Sequence, residues 1–345
     1  NTVTVKSGST AGTATITVTS AATTNYNAKS ATYTATIKTT INNLKIGDYV
    51  NYTYDTASVY TLESKYSGHN STQAIEQTTG LKWRILNIDK TTGTIDIITE
   101  KPTDPSMFLG SAKICIYFDG ILGYNNGPYL MNEICKAQYS NKTLGVEARN
   151  INLLDMEKHL TPTGIKSRNE YNKGDSTYAK YGTTKTYTSN TKYPSLYANQ
   201  KGAGPNVSTI SQPDITKGND PYEESKPIVP KGTTEPTTSS TYGTGSPLTV
   251  TQTYYNISIN DTNYGTASTV LANSTGFWVA ARCVPTGSDS ASFCIRGAST
   301  FTYGCYMFFS DGDTNGSYYA LRPVVSLPSR LLTGEQTNGG WDLSK

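Results

Sequence analysis

Leu81-Lys-Trp-Arg-Ile-Leu-Asn-Ile88, then the turn Thr91-Thr-Gly93 and Thr94-Ile-Asp-Ile-Ile-Thr99, place alternating apolar residues on either side of a glycine. Alternation at period two gives a strand one apolar face, and the glycine turn folds the two runs into a hairpin. Upstream, Ile46-Gly-Asp-Tyr-Val-Asn-Tyr52 alternates too and predicts an entry strand. Downstream, Leu248-Thr-Val-Thr251, Phe277-Trp-Val-Ala280, Ser292-Phe-Cys-Ile295, Tyr306-Met-Phe-Phe309 and Ala320-Leu-Arg-Pro-Val-Val-Ser-Leu327 predict further strands, with order continuing to Trp341. Threonine fills 55 of the 345 positions, and a β-branched hydroxyl residue suits wet strands and polar turns. The chain reads as mostly β, of α+β type, with an exposed face.

Two short helices interrupt the strands. Pro128 to Gln138 sets Leu130, Ile134 and Ala137 on one side, and Asn152 to Leu160 carries Leu153, Met156 and Leu160 behind an asparagine N-cap. Helices this short need a sheet to pack against. Over 161–247 the periodicity is lost and eight of the fifteen prolines fall between 194 and 247, which predicts a long irregular insertion. At the start, Val3 and Val5, Ile16 and Val18, and Tyr33, Ala35 and Ile37 alternate with small residues and predict three strands. Three strands cannot close a sandwich, so they read either as part of a β-sandwich module or as the first sheet of the domain that begins near Ile41.

Composition narrows the function. The 29 Lys+Arg against 26 Asp+Glu leave +3 with no block of like charge, too little to track a phosphate backbone, so nucleic acid is not an expected partner. No run of 18 apolar residues is present, so no direct membrane insertion is expected. The opening at Asn1 has no basic stretch followed by an apolar one and reads as a mature or excised chain. Cys115, Cys135, Cys283, Cys294 and Cys305 contain no C-x-x-C pair, which argues against structural zinc. His69 and His159 are the two histidines, leaving acid–base chemistry little to work with. No catalytic residue, metal or cofactor is assigned, and the expectation is a protein that is not an enzyme. Eight Asn-x-Ser/Thr sequons, Asn51, Asn256 and Asn273 among them, follow from composition and imply no glycan.

An entry strand, two short helices, a long irregular loop and a last cluster of strands resemble the C-type lectin-like fold. Leu81-Lys-Trp-Arg-Ile-Leu86, Gly276-Phe-Trp-Val-Ala-Ala-Arg-Cys-Val284 and Leu321-Arg-Pro-Val-Val-Ser-Leu327 are similar to a bacterial and phage family of this fold, formylglycine-generating-enzyme-like in type. Tyr124-Asn-Asn-Gly127 with Asn132-Glu-Ile-Cys-Lys136, and Ala148-Arg-Asn-Ile-Asn152 with Asp155-Met-Glu157, resemble its helical half. The likeness spans 41–345. Several members are variable proteins of diversity-generating retroelements, in which adenines of the gene's 3' region are mutated while the fold stays fixed. Gly12-Thr-Ala-Thr-Ile-Thr-Val-Thr19, Asn25-Tyr-Asn-Ala28 and Ala31-Thr-Tyr-Thr-Ala-Thr-Ile37 resemble the closing strands of a bacterial immunoglobulin-like repeat, so 1–40 is expected to be the end of a spacer. These resemblances imply an extracellular protein, on a bacterial cell surface or a phage virion. They also imply that Cys135 and Cys283 lie where an extracellular protein could cross-link them, the other reading being two buried thiols.

Adenine mutagenesis of an AAY codon cannot yield Lys, Glu, Gln, Trp or Met. Those types fill 47 of 345 positions, so 36 residues should hold about five, yet 286–321 holds Met307 alone. Seven aromatics crowd into the 19 residues 301–319, where an overall 10% predicts about two. Aromatics mixed with small polar residues suit an adaptable binding surface. The candidate variable region is 286–320. Its expected ligand contacts are Gly297, Ser299, Phe301, Tyr303, Cys305, Tyr306, Phe308, Phe309, Asp311, Asp313, Ser317, Tyr318 and Tyr319. The partner would be an unidentified cell-surface protein or glycan. Strand alternation at Phe301, Tyr303, Tyr306 and Phe308 leaves open a tyrosine-rich core instead.

Arg282, Arg296 and Arg322 are expected in the scaffold, tying loops by several hydrogen bonds. Asp311-Gly-Asp-Thr-Asn-Gly316 mimics the start of a calcium loop, but Arg322 stands where the closing carboxylate belongs, so a polar turn is the better reading. Gln212-Pro-Asp214 matches a sugar-selective tripeptide of calcium-dependent lectins without its Trp-Asn-Asp companion. A fixed calcium-dependent carbohydrate lectin and a structural pilus or surface-layer subunit are the alternatives.

Overall fold

The alternating runs of 81–99 pair at the middle of a seven-stranded sheet. The computed structural model describes residues 12–37, 41–104, 107–109, 112–171, 180–187, 248–251, 257–283, 294–298, 303–306 and 317–344. In chain order, β1 (Gly12–Ser20) and β2 (Lys29–Ile37) are followed by β3 (Tyr49–Val50), β4 (Tyr60–Leu62), the single turn α1 (Ser64–Ser67) and β5 (Gln73–Ile75). Next come β6 (Trp83–Asp89), β7 (Thr94–Thr99), β8 (Met107–Leu109), β9 (Ala112–Ile114) and β10 (Ile116–Phe118). The helical half holds α2 (Gly120–Tyr139), β11 (Ala148–Asn150), α3 (Leu153–Glu157) and α4 (Pro162–Glu170). β12 (Thr184–Tyr187), β13 (Leu248–Thr251), α5 (Asp261–Tyr264) and α6 (Ser268–Leu271) lead into β14 (Phe277–Cys283), β15 (Cys294–Ala298) and β16 (Tyr303–Tyr306). β17 (Ser317–Tyr319), β18 (Pro323–Pro328), β19 (Leu332–Thr337) and β20 (Gly340–Leu343) close the chain. The result is strand-rich, with α/β content mixed and the helices mostly short.

The main sheet runs β11-β18-β7-β6-β3-β20-β19. Its β6–β7 turn is held by Asp89, whose Oδ1 accepts from the backbone N–H of Thr91 (2.8 Å) and Thr92 (3.1 Å), while Gly93 takes the positive φ of +70° that such a turn needs. The wet outer face expected of the strands is missing at the sheet's centre, where every residue from Ile95 to Thr99 is buried. Ile95 and Ile97 face one apolar cluster with Trp83, Ile85, Val325 and Leu327, and Ile98 faces another with Leu86 and Val324. α2 covers the first cluster with Leu130, Met131, Ile134 and Tyr139, whereas α3, α5 and α6 cover the second with Leu153, Met156, Tyr264 and Leu271. A sheet sandwiched between two helical layers buries both faces.

The first helix was expected from Pro128, but α2 starts at Gly120 and carries that proline inside. Proline normally marks a first turn, which put the expected start too late. Gly127 has a packing role, since a Cβ there would come within 2.3 Å of Ile295 Cδ1. The second helix is correctly placed but shorter, ending at Glu157. Its N-cap is a full capping box, with Asn152 accepting from the Asp155 backbone and Asp155 accepting from that of Asn152.

The insertion over 161–247 is not irregular throughout, because α4 occupies its start and β12 pairs with β13. Thr161 caps α4 by accepting from Gly164 N–H at 3.0 Å with Pro162 in the first turn, yet the exposed Ile165 (41%) leaves no apolar stripe for periodicity to detect. α4 docks through a glycine: a Cβ on Gly164 would stand 2.3 Å from the Asn263 carbonyl oxygen. Gly164→Ala should therefore destabilise by about 1 to 3 kcal/mol despite alanine's better helix propensity, read as a lowered denaturant midpoint. At the chain's start, β1 and β2 make a two-stranded sheet of their own with Val18, Tyr26 and Tyr33 exposed. The third expected strand, at Val3 and Val5, lies outside the described residues, as do Gln212 and Asp214.

Burial also sets an acid limit on stability. His159 Nε2 is buried with no hydrogen-bond partner, and desolvation, then the neighbouring Lys158, lowers the imidazole to about 4. The unfolded chain takes up a proton as pH falls below the ordinary value near 6.5, whereas the folded chain does not until about 4, so this contribution is lost across that window. The expected loss from pH 7 to pH 4 is about 2 to 3 kcal/mol, and His159→Phe should flatten that part of the profile. Asp96 acts lower still: burial raises its pKa, but Lys158 Nζ at 3.0 Å and the Ser326 hydroxyl at 2.7 Å outweigh it and hold the carboxyl below its ordinary value.

Candidate ligand-binding face

The expected contact residues follow Trp278, the largest side chain on β14 and fully buried. Its indole N–H donates to Ile116 O at 2.9 Å, and its ring meets Phe118 and Tyr319 edge-on, with centroids 5.7 and 5.0 Å away. Gly276 makes room for this, since a Cβ there would lie 2.3 Å from the Tyr319 ring. β14 also bridges Ala320 in parallel through Trp278 N–H to Ala320 O at 2.9 Å. One indole thereby joins β10, β14 and the end of β17.

Beneath it lies a polar layer that alternation does not reveal. Asn150 is fully buried, donates from Nδ2 to Trp278 O at 2.8 Å and accepts on Oδ1 from Arg322 N–H at 2.8 Å, tying β11, β14 and the entrance to β18. Arg322 is fully buried and donates to Leu271 O at 2.6 Å, to Thr99 O and Glu100 O at 3.3 Å each, and to Val270 O. Its guanidinium stacks 4.9 Å from the Phe277 ring. Arg296 is fully buried as well, so both arginines belong to the scaffold as expected; the Arg282 side chain lies outside the described residues.

The thirteen expected contacts divide. Gly297 is buried, opposite Trp278 on one side and Gly304 on the other, so it packs and offers no surface to a ligand. Tyr319 is half-buried, an anchor as much as a contact. By register, Tyr306 lies opposite the buried Ile295, while Tyr303 and Cys305 lie opposite the buried Ala298 and Arg296. β16 thus continues two faces that are both covered at β15. On the β10–β17 ribbon, Tyr319 pairs with buried Ile116, Tyr318 with Tyr117 and Ser317 with buried Phe118. Ser299, Phe301, Phe308, Phe309, Asp311 and Asp313 lie outside the described residues.

Tyr117 and His69 were missed. Both are half-buried, their rings meet edge-on at 4.6 Å, and Gln73 grips the Tyr117 backbone from both sides at 2.8 Å. Ile116-Tyr-Phe118 is itself an in-out-in triplet, the one signal that could have found Tyr117.

Cys135 is a free, fully buried thiol, while the Cys283 side chain lies outside the described residues. Cys135 belongs to the cluster under α2 with Trp278 and Ile295. Cys283 pairs in register with Cys294, on the face that β15 shares with Arg296 and Ala298, the other side of the sheet. Burial pushes the Cys135 thiol well above its usual pKa.

A groove of about 730 Å³ lies elsewhere, at the β3–β20 junction, between Tyr49, Asn51, Lys82 and Asp342. Its amide is already engaged, since Asn51 Nδ2 donates to Thr337 O at 2.9 Å, Gly340 O at 3.1 Å and Asp342 Oδ1 at 2.6 Å. It reads as a latch for the last hairpin. Among the described residues no three His, Cys, Asp or Glu side chains converge on a metal-sized site, and no helix is long and apolar enough to cross a membrane. Compared with known proteins, the chain matches no family model, no curated protein and no solved structure.

Proposed function

We propose that the chain is an extracellular ligand-binding protein, in which a C-type lectin-like scaffold over 41–345 displays a diversified aromatic surface and 1–40 ends an immunoglobulin-like spacer. One observation carries this reading: fully buried Trp278, Asn150, Arg296 and Arg322 form a layer against β16 and β17, with Trp278 on the Tyr319 ring and Arg296 paired with Cys305. Apart from Tyr319, which packs on Trp278, such a layer draws on residues outside the candidate contacts, the condition for changing the other side chains freely. Tyr117 and His69 form the described part of the surface, to which the ligand contacts expected within 297–319 are assigned. Its ligand is a cell-surface protein or glycan, and the chain acts on a cell or a virion without catalysing a reaction.

Deep sequencing of the gene from its source population tests the reading. Substitutions clustered between 286 and 320 at adenine-derived positions, with 321–327 unchanged, are expected. A uniform sequence, or changes spread evenly over 250–345, overturns diversification. A structural pilus or surface-layer subunit is favoured by one feature, the open β1–β2 hairpin with Tyr26 (78%) and Tyr33 (71%) exposed, and it predicts polymers at high concentration.

A further inference from the structure

The chain holds five cysteines, and the pairing of β14 with β15 sets two of them opposite each other, Cys283 against Cys294. Opposed residues of an antiparallel pair have Cα atoms about 4.5 to 5.5 Å apart. That falls within the roughly 4.4 to 6.8 Å that a disulfide spans, and opposed residues share a face of the sheet. The register is not accidental to the fold. It is displaced between Val279 and Arg282, where β14 carries two more residues than β15, and without that displacement Cys294 would stand opposite Ala281. Of the other cysteines, Cys135 is carried by α2 in the cluster of Ile295, and Cys305 pairs with Arg296.

We propose that Cys283 and Cys294 form a cross-strand disulfide that ties β14 to β15 where the ten residues 284–293 leave and rejoin the sheet. The oxidant is a low-molecular-weight disulfide. One cysteine thiolate attacks glutathione disulfide and releases one glutathione thiolate, leaving a mixed disulfide on the protein. The second thiolate attacks the protein sulfur of that bond and expels the second glutathione. Two protein thiols are oxidised, one glutathione disulfide is reduced to two thiols, and both protein protons pass to the solvent.

The test equilibrates the folded full-length chain with glutathione disulfide, quenches with acid, alkylates in denaturant and counts adducts by mass. Reduced protein takes five additions, one for each cysteine. After oxidation it should take three, and proteolytic mapping should join the peptides containing Cys283 and Cys294. The Cys135→Ser, Cys305→Ser double variant should still lose two additions, while Cys283→Ser or Cys294→Ser should stop at a mixed disulfide with glutathione on the remaining partner. Five additions after oxidation, or Cys283 joined to Cys135 or Cys305, overturns the proposal. If folding fails in one variant, the peptide map of the unmodified chain decides alone. The outcome is independent of the sequencing test above, because a fixed gene would leave this pairing intact.

Discussion

Alanine at Trp278 should remove about 3 to 5 kcal/mol of stability, the range for deleting a fully buried large aromatic. Three losses combine there. The indole is completely buried between Phe118 and Tyr319, so its removal leaves a cavity that two edge-on rings cannot both fill. Ile116 O loses the 2.9 Å hydrogen bond from the indole N–H. Tyr319 also loses the surface that holds it over Gly276. The measurement is chemical denaturation of the folded chain, with hydrogen exchange alongside. Amides of 116–118 and 317–319 should exchange faster in the variant than those of β6 and β7, because the ribbon depends on the indole and the central hairpin does not. Trp278→Phe separates packing from hydrogen bonding and should cost about half as much. A loss below about 1 kcal/mol for the alanine variant would show that the ring is not the joint described here.

Much of the sheet was legible because alternation at period two is a local signal. Thr94–Thr99 and Leu248–Thr251 form strands with the bounds that their alternation marks, and Asn152 is an N-cap. What was not legible depends on contacts distant in the chain. The turns of α2 before Pro128 were not legible, and the packing of Gly127 against Ile295, far along the chain, belongs to that part of the helix. Asn150 reads as one polar residue among many, and its role exists only when β11 meets β14 and β18. Cys135 and Cys283 make the same point: neither position in the sequence shows that α2 carries Cys135 into the cluster of Ile295, or that register sets Cys283 opposite Cys294. In the candidate region, composition marks an aromatic cluster, but register sets Tyr306 opposite Ile295 of one core cluster and Tyr303 opposite Ala298 of the other, a distinction that counting aromatics cannot make.

Arg322→Met is the second large effect expected, at about 3 to 5 kcal/mol. A buried arginine usually answers a carboxylate, and replacing such a pair with apolar residues can be nearly neutral. Here its described acceptors are backbone carbonyls, those of Thr99, Glu100, Val270 and Leu271, and a methionine leaves all four behind. Each buried carbonyl stripped of its donor costs about 1 to 3 kcal/mol unless water replaces the lost bond, and a fully buried site gives water little room. Burial, then the charge of Arg84, lowers the guanidinium to about 9, still high enough to keep it charged at neutral pH, so desolvation is a cost that the carbonyls offset. Arg322→Lys tests this account of the geometry. A lysine keeps the charge but presents one nitrogen where the guanidinium spans the end of α6 and the end of β7, so it should recover less than half of the loss. Full recovery by lysine would mean that charge, and not the planar fork, is what the site uses. The fork also explains how 323–328 keeps its register whatever lies above it: Arg322 fixes the entrance to β18 from below, with four carbonyls and the Asn150 side chain, and none of those contacts involves a residue of 299–319.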